Sequence, residues 1–134
     1  VDAIFARRPQ LVLVDELAHN NPTGWRHRRR YQDIDELLDN GINVYSTLNV
    51  QHLESRADDV ERITGVAVRE RVPDSVLAKA SEVEVLDITP AELLQRLSEG
   101  KVYAKDRSIV ALQNFFRKGN LVALRCPTPT RTKP

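Results

Sequence analysis

Leu11-Val12-Leu13-Val14-Asp15-Glu16-Leu17-Ala18-His19 is the stretch whose reading decides the fold. Four consecutive apolar residues, two of them β-branched, run straight into two carboxylates. A short unbroken apolar run reads as a strand buried on both faces, as in a parallel sheet. Asp15 and Glu16 then fall at its carboxyl end, which in open α/β sheets faces the ligand crevice.

On the amino-terminal side, Val1 to Arg8 reads as the last turns of a helix. Ile4 and Phe5 are apolar, Arg7 and Arg8 suit a helix C-terminus, and Pro9 stops it. A domain rarely opens half-way through a helix that feeds a central strand, so the reading expects a segment removed upstream of Val1. On the other side, His19-Asn20-Asn21-Pro22-Thr23-Gly24-Trp25 is a loop by its turn residues. It leads into Arg26-His27-Arg28-Arg29-Arg30. Arg26, Arg28, Arg29 and Arg30 are suited to grip phosphates or an acidic partner. The competing reading is a solvated loop whose charge is answered by Asp33, Asp35, Glu36 and Asp39, and the sequence favours it. Trp25 and Tyr31 flank the run, but no nucleic-acid module accompanies them.

Tyr31 to Asn40 reads as a helix, with Ile34, Leu37 and Leu38 on one face and Asn40-Gly41 as its stop. Ile42 to Leu48 is a second strand. Strand, helix, strand in this order implies a right-handed crossover and parallel pairing. Ser46, Thr47, Asn49, Gln51 and His52 cluster where that strand meets the next helix, expected over about Val50 to Thr64. Asn49 is a good N-cap for it. Thr47 and Asn49 either serve only as caps, with His52 on the surface, or stand beside Asp15 and Glu16 and sense a phosphate or a bound water.

Val66 to Val72 is a short strand or extended connector, and Ser75 to Ala80 a short helix. Val83 to Asp87 reads as a third strand. Leu11 to Asp15, Ile42 to Leu48 and Val83 to Leu86 are therefore expected as parallel neighbours in one sheet. Thr89-Pro90-Ala91-Glu92 is a capping box with Pro at the first helical position, and its helix stops at Gly100. Lys105 to Lys118 reads as a helix closed by Gly119, and Asn120 to Arg125 begins one more. Residues 126–134 hold three prolines and are expected to be disordered.

The 134 residues suffice for one domain with a real core but hardly for two. With 41% apolar and 29% charged residues, the composition is that of a globular protein. No apolar run approaches the roughly 20 residues of a membrane span, and the opening VDAIFARRPQ lacks the regions of a secretory leader. The single Cys126 forms no internal disulfide, which fits a reducing cytosol. A net charge of +1 provides no global field for nucleic acid or anionic lipid.

An apolar strand ending in Asp-Glu occurs in P-loop nucleoside-triphosphatases, where the Asp holds magnesium and a following Glu can orient water. Many buried strands also end in an acidic residue that merely solvates the next turn. Longer phrases are more specific. VDELAHNN, RYQDIDELLDNGINVYSTLNVQHLES, ITGVAVRERVPDSVL and EGKVYAKDRSIVALQNFFRKGNLVALR resemble the cytoplasmic amino-terminal domain of the Kdp-type potassium-sensor histidine kinases, over about Ala6 to Arg125. The resemblance implies an α/β three-layer fold with a mostly parallel sheet, like a P-loop ATP-binding domain, spanning residues 1–125. It places Asp15 and Glu16 at the acidic strand end, Asp15 holding magnesium through water. Thr47 and Asn49 match where related folds put a polar sensor of the terminal phosphate. It implies ATP and magnesium as ligands of the intact parent, a cytoplasmic location on a membrane-anchored sensor, other domains of that sensor as partners and, indirectly, a response regulator.

Three departures accompany the resemblance. The phosphate loop G-x-x-x-x-G-K-[ST] does not occur in these residues. The loop from Asn20 to Trp25 differs from the family's wording, with Trp25 where a small residue is usual. After Arg125 the sequence breaks from the family. The expected chain is therefore a P-loop-like fold lacking its first strand and phosphate loop, binding Mg-ATP weakly or not at all and not catalytic alone. It has no nucleic-acid partner, inserts no segment into a membrane, and exposes a sheet edge suited to a homodimer. The leading functional reading is a regulatory ATP-binding region of a potassium- or turgor-responsive two-component kinase. A nucleotide-independent interaction module competes with it, and a stand-alone hydrolase using Asp15, Glu16 and His52 ranks third.

Overall fold

A computed structural model describes residues 1–102 and 115–125. Its elements are α1 (Asp2–Arg7), β1 (Leu11–Val14), α2 (Arg30–Asp39), β2 (Asn43–Ser46), a 3-10 turn (Val50–His52), α3 (Glu54–Thr64), α4 (Asp74–Ala78), α5 (Pro90–Ser98) and α6 (Lys118–Arg125). They form two compact units. The first comprises residues 1–57 and 68–80, the second residues 58–67 and 81–134.

In the first unit β1 and β2 pair in parallel, with Leu11 opposite Asn43 and Val14 opposite Ser46. The crossover between them is α2, as the strand-helix-strand order requires. Successive residues of a strand point to opposite faces. Val14 and Val44 share one face and pack, with Tyr31, Leu48 and Val76, on a buried cluster of Leu17, Ala18, Ile34 and Val72. Leu37 of α2 is buried almost completely. The helix ends as its sequence prescribes. The Asn40 side chain donates to the Glu36 carbonyl at 2.8 Å, Gly41 takes the left-handed conformation at φ 76°, and the Ile42 amide returns to the Leu37 carbonyl at 3.1 Å.

The other face of the sheet departs from expectation. Leu13 is 75% exposed and Tyr45 68%. The apolar run was read as buried on both faces, yet among the described residues only one face is covered, so the three-layer expectation is met on that side alone. The third expected strand is also absent. Residues 83–87 form no strand, with Val85 81% and Leu86 88% exposed. A strand exists only through the hydrogen bonds of a neighbour, and no described segment pairs with VEVLD. Among the described residues the sheet has two strands, not the three expected.

The helix expected from Val50 begins at Glu54. Leu53 is extended, with ψ 133°, because it forms a parallel bridge to Val72. Residues 66–72 are accordingly an extended connector with that single bridge.

In the second unit, α5 carries the anticipated capping box. The Glu92 amide donates to Thr89 Oγ1 at 3.2 Å and the Thr89 amide to Glu92 Oε2 at 2.9 Å. Helix α5 packs on α6, and Leu97 and Leu121 are buried. Gly119 does not close a helix; it lies inside α6. Residues 105–114 of the helix expected before it, and the tail 126–134, lie outside the described residues. No described helix is long and apolar enough to cross a membrane.

Leu37 anchors α2 over the sheet. Leu37→Ala is expected to destabilise the first unit by about 2–5 kcal/mol, the usual cost of such a cavity, read as a lower urea midpoint.

Candidate functional site

The site is built at the carboxyl ends of β1 and β2. Pairing of Val14 with Ser46 brings Asp15 level with Thr47. Ser46 Oγ donates to the Val14 carbonyl at 2.7 Å, and the Leu17 amide to the Thr47 carbonyl at 2.9 Å. Between these tethers the chain turns sharply at Glu16, which takes φ 53°. That left-handed conformation is uncommon for a residue with a Cβ and needs outside support. Here the Glu16 amide donates to Thr47 Oγ1 and to Asp15 Oδ1, each at 3.0 Å. The Thr47 hydroxyl donates in turn to Asp15 Oδ1.

Arg30, at the start of α2, completes the support. Its Nη1 donates to the Asp15 carbonyl at 2.7 Å and the Glu16 carbonyl at 3.3 Å, and lies 3.8 Å from Glu16 Oε2. His19 Nδ1 is 3.9 Å from the same carboxylate oxygen and 3.5 Å from Glu70 Oε1. The carboxylates of Asp15 and Glu16 remain exposed. The bond from Thr47 holds the Asp15 carboxyl below its ordinary range, helped by the Glu16 amide and the Arg30 charge against a small opposing effect of burial.

The residues read from the sequence divide accordingly. Asp15, Glu16 and Thr47 converge. Asn49 does not cap: its side chain makes no cap bond, it is exposed, and its carbonyl accepts from the His52 amide at 3.0 Å. Helix α3 starts five residues later, so a cap at Asn49 would serve only a single 3-10 turn. His52 is half-buried with Nδ1 2.8 Å from the Glu70 carbonyl.

The basic run is split. Arg26 pairs with Asp2 and Glu36, and His27 Nε2 lies 2.9 Å from Glu36 Oε2. Burial raises the Glu36 pKa, but His27 and Arg26 outweigh it and leave the group below its ordinary value. Arg29 reaches the Asn20 side chain, Arg28 is exposed, and Lys79 takes Asp35 at 3.1 Å. Only Arg30 of the run turns to the strand end.

His27, Asp33 and Glu36 lie close enough to share a cation. Each already has a protein partner, however, since Asn21 donates to Asp33 and Arg26 to Glu36. The group is complete as an ion-paired corner. A groove of about 310 Å³ lined by Val1, Ile4, Val14, Trp25 and Leu37 reaches the strand end through Val14, Arg30 and His19; Asp15, Glu16 and Thr47 do not line it.

Sequence reasoning missed Arg30 as a support, and Glu70 altogether. Arg30 was masked by the charge run around it. Glu70 sits in a connector without periodicity, 50 residues from its partner Asn20, and no local signal marks it. As a metal site, the strand end offers one free Asp15 oxygen, the Glu16 carboxylate and the Thr47 hydroxyl. An oxygen-only set of this kind fits a hard cation such as magnesium.

The family model of the osmosensitive K+ channel His kinase sensor domain, KdpD, matches residues 1–128. A Synechocystis sp. protein bearing the KdpD name is 60% identical over 123 residues, 92% of this chain and 33% of its own. The sensor protein KdpD of Escherichia coli is 55% identical over 125 residues, and that of Clostridium acetobutylicum 54%. Each alignment covers 93% of this chain and 14% of the relative. The chain thus spans a third or less of the length of the curated relatives it matches.

Two outcomes test this geometry. A carboxyl whose pKa is lower folded than unfolded stabilises fully above its unfolded value, and that contribution fades as pH falls through the folded value. Thr47→Val removes the main cause of the Asp15 shift. Its carbon-13 carboxyl titration is expected to move up toward the ordinary range, and with it the acid edge of the stability curve. Asn49→Ala, by contrast, is expected to stay within about 0.5 kcal/mol of the parent in urea unfolding, as for a surface change that breaks no cap.

Proposed function

This chain belongs to the KdpD sensor-domain family, and on that premise we propose that it is the regulatory ATP-binding region of a potassium- or turgor-responsive two-component histidine kinase. The observation that carries the reading is the convergence of Asp15, Glu16 and Thr47 at adjacent parallel strand ends, with oxygen donors exposed and their backbone locked. Magnesium carried with ATP would supply the positive charge that this acidic end can meet. Asp15 holds the cation through water, Glu16 orients a water, and Thr47 keeps both in place. Asn49, exposed beyond the end of β2, is free to reach the terminal phosphate. In the whole sensor, ATP would bias the balance between phosphorylating and dephosphorylating a response regulator. The setting is the cytoplasmic side of a membrane-anchored protein, with its other domains as partners. The chain's own residues bind and position; they do not form a catalytic set.

Most affinity in such sites comes from a phosphate loop, whose N–H groups and Lys meet the phosphates directly. That motif does not occur in this sequence. Without it, Asp15 and Glu16 present negative charge to a polyanion, while Arg26 is already engaged and Arg28 is an exposed, salt-screened charge.

One observation favours a second reading, an interaction module. Leu11, Leu13 and Tyr45 form an exposed apolar sheet face, the kind of surface that marks a protein contact, including with a second copy through the sheet edge.

Calorimetry with Mg-ATP separates the two. The 134-residue chain is expected to give no measurable heat at micromolar concentration, whereas a full-length sensor of the family binds. Micromolar binding by the chain itself, lost in Asp15→Asn, would place the phosphate site elsewhere than argued. Silence from the full-length sensor would leave the interaction module as the function.

A further inference from the structure

Glu70 joins the acidic strand end to a distant part of the same unit. Its Oε1 accepts from the Asn20 amide at 2.9 Å and lies 3.5 Å from His19 Nδ1. One carboxylate oxygen thus holds the backbone of the loop leaving Glu16 and stands beside its ring. The Glu70 carbonyl lies 2.8 Å from His52 Nδ1; a carbonyl only accepts, so that nitrogen carries the proton. The ladder continues from there. The Val72 amide donates to the His52 carbonyl at 2.8 Å, and the Glu54 amide to the Val72 carbonyl at 3.0 Å. The Ser55 amide and hydroxyl then hold Asp74, the first residue of α4, at 3.1 and 2.6 Å. Val72 is completely buried.

At the other end of this path stands Glu16 in its left-handed turn. A backbone held away from its preferred region persists only while its supports do, and it relaxes when one is withdrawn. Its carboxylate is shared between Arg30 and His19. Drawing that carboxylate toward a cation leaves Glu70 as the remaining carboxylate paired with His19 among the described residues. The ring and Asn20 then pull on Glu70 together.

We infer that Glu70 is a positioning residue that couples the conformation of Glu16 to the 68–80 segment, so that the state of the strand end is read at Val72 and α4. The trigger, a magnesium nucleotide, rests on the function proposed above; the coupling itself does not. An allosteric path requires measured coupling and not adjacency alone, and amide hydrogen exchange supplies it.

The test is a double-mutant cycle on the 134-residue chain. Thr47→Val frees the Glu16 turn without nucleotide. Exchange at the Val72 and Glu54 amides is expected to rise about fivefold or more, as for local opening, while the Ile42 amide behind α2 stays within about twofold. In a Glu70→Ala background those two amides start out fast, and Thr47→Val adds less than about twofold, the sign of a shared path. Glu70→Gln keeps an acceptor for Asn20 and restores part of the response, which a purely space-filling role would not require. Should Glu70→Ala fail to fold, His19→Gln takes its place in the cycle. Unchanged exchange at Val72 and Glu54 in Thr47→Val, or equal changes in both backgrounds, overturns the coupling.

Millimolar Mg-ATP provides the second arm. A change at Val72 in the parent chain that is absent in Glu70→Ala supports both trigger and coupling. Binding that shifts Asp15 and Glu16 resonances but leaves Val72 unmoved overturns the coupling and spares the nucleotide reading. A positive cycle with no response to Mg-ATP supports the coupling alone, because the 134-residue chain is expected to bind the nucleotide weakly or not at all.

Discussion

The left-handed turn at Glu16 is the constraint on which the first unit depends. A residue with a Cβ pays roughly 1–2 kcal/mol to adopt it, and within Asp15-Glu16 only the bond from the Glu16 amide to Asp15 Oδ1 offsets that cost, with Oδ1 itself held by Thr47. The remaining support is tertiary. Parallel pairing sets Thr47 opposite the turn, where its hydroxyl accepts from Glu16 and donates to Asp15. Arg30 grips the two carbonyls from the start of α2. A register shift of one residue would send the Thr47 hydroxyl to the other face of the sheet. Strand register and site geometry are therefore one property, and the burial of Val14, Val44 and Ile34 that fixes the register also shapes the site.

Charge follows the same division of labour. Five basic residues in a row would repel one another if left alone, but the run is taken apart by its surroundings. Arg26 and His27 go to Glu36, Arg29 to Asn20, and Arg30 inward. The exposed pairs are individually weak, worth about 0–1 kcal/mol each. Their value is positional: pinning Arg26 and His27 fixes the path of residues 26–30, so that Arg30 arrives at the strand end with its guanidinium aimed at two backbone oxygens.

The sequence showed what is local and hid what is not. The strand at Leu11–Val14, the stop at Asn40-Gly41 and the Thr89-Glu92 box each lie within a few residues and form as read, whereas the run is bared on one face, and of Ile34, Leu37 and Leu38 only the first two are buried. Parallel pairing put Thr47 beside Asp15 in one of the two readings that the sequence left open, and the structure brings these two together. Val83 to Asp87 failed because alternation shows only that a segment can be a strand, whereas pairing decides whether it is. Asn49 failed because Leu53 bridges to Val72, a contact between distant residues that ends the turn and delays the helix to Glu54. Glu70 was invisible for the same reason. Its meaning lies in Asn20, His19 and His52, none of them near it in sequence.

The bare face of the sheet bears on both functional readings at once. Leu11, Leu13 and Tyr45 belong to the same two strands whose far ends carry Asp15 and Thr47. Covering apolar area stabilises by about 25 cal/mol per Å², and a partner that covers this face gains that energy only while β1 and β2 stay paired. It therefore stabilises the pairing, and with it the Glu16 turn. Linkage is reciprocal: whatever tightens the turn also favours occupancy of the face. A ligand at the strand end and a protein on the sheet face then reinforce each other through two four-residue strands, with no element between them. On the function proposed above, the ligand site and the bare sheet face lie on one pair of hydrogen-bonded strands.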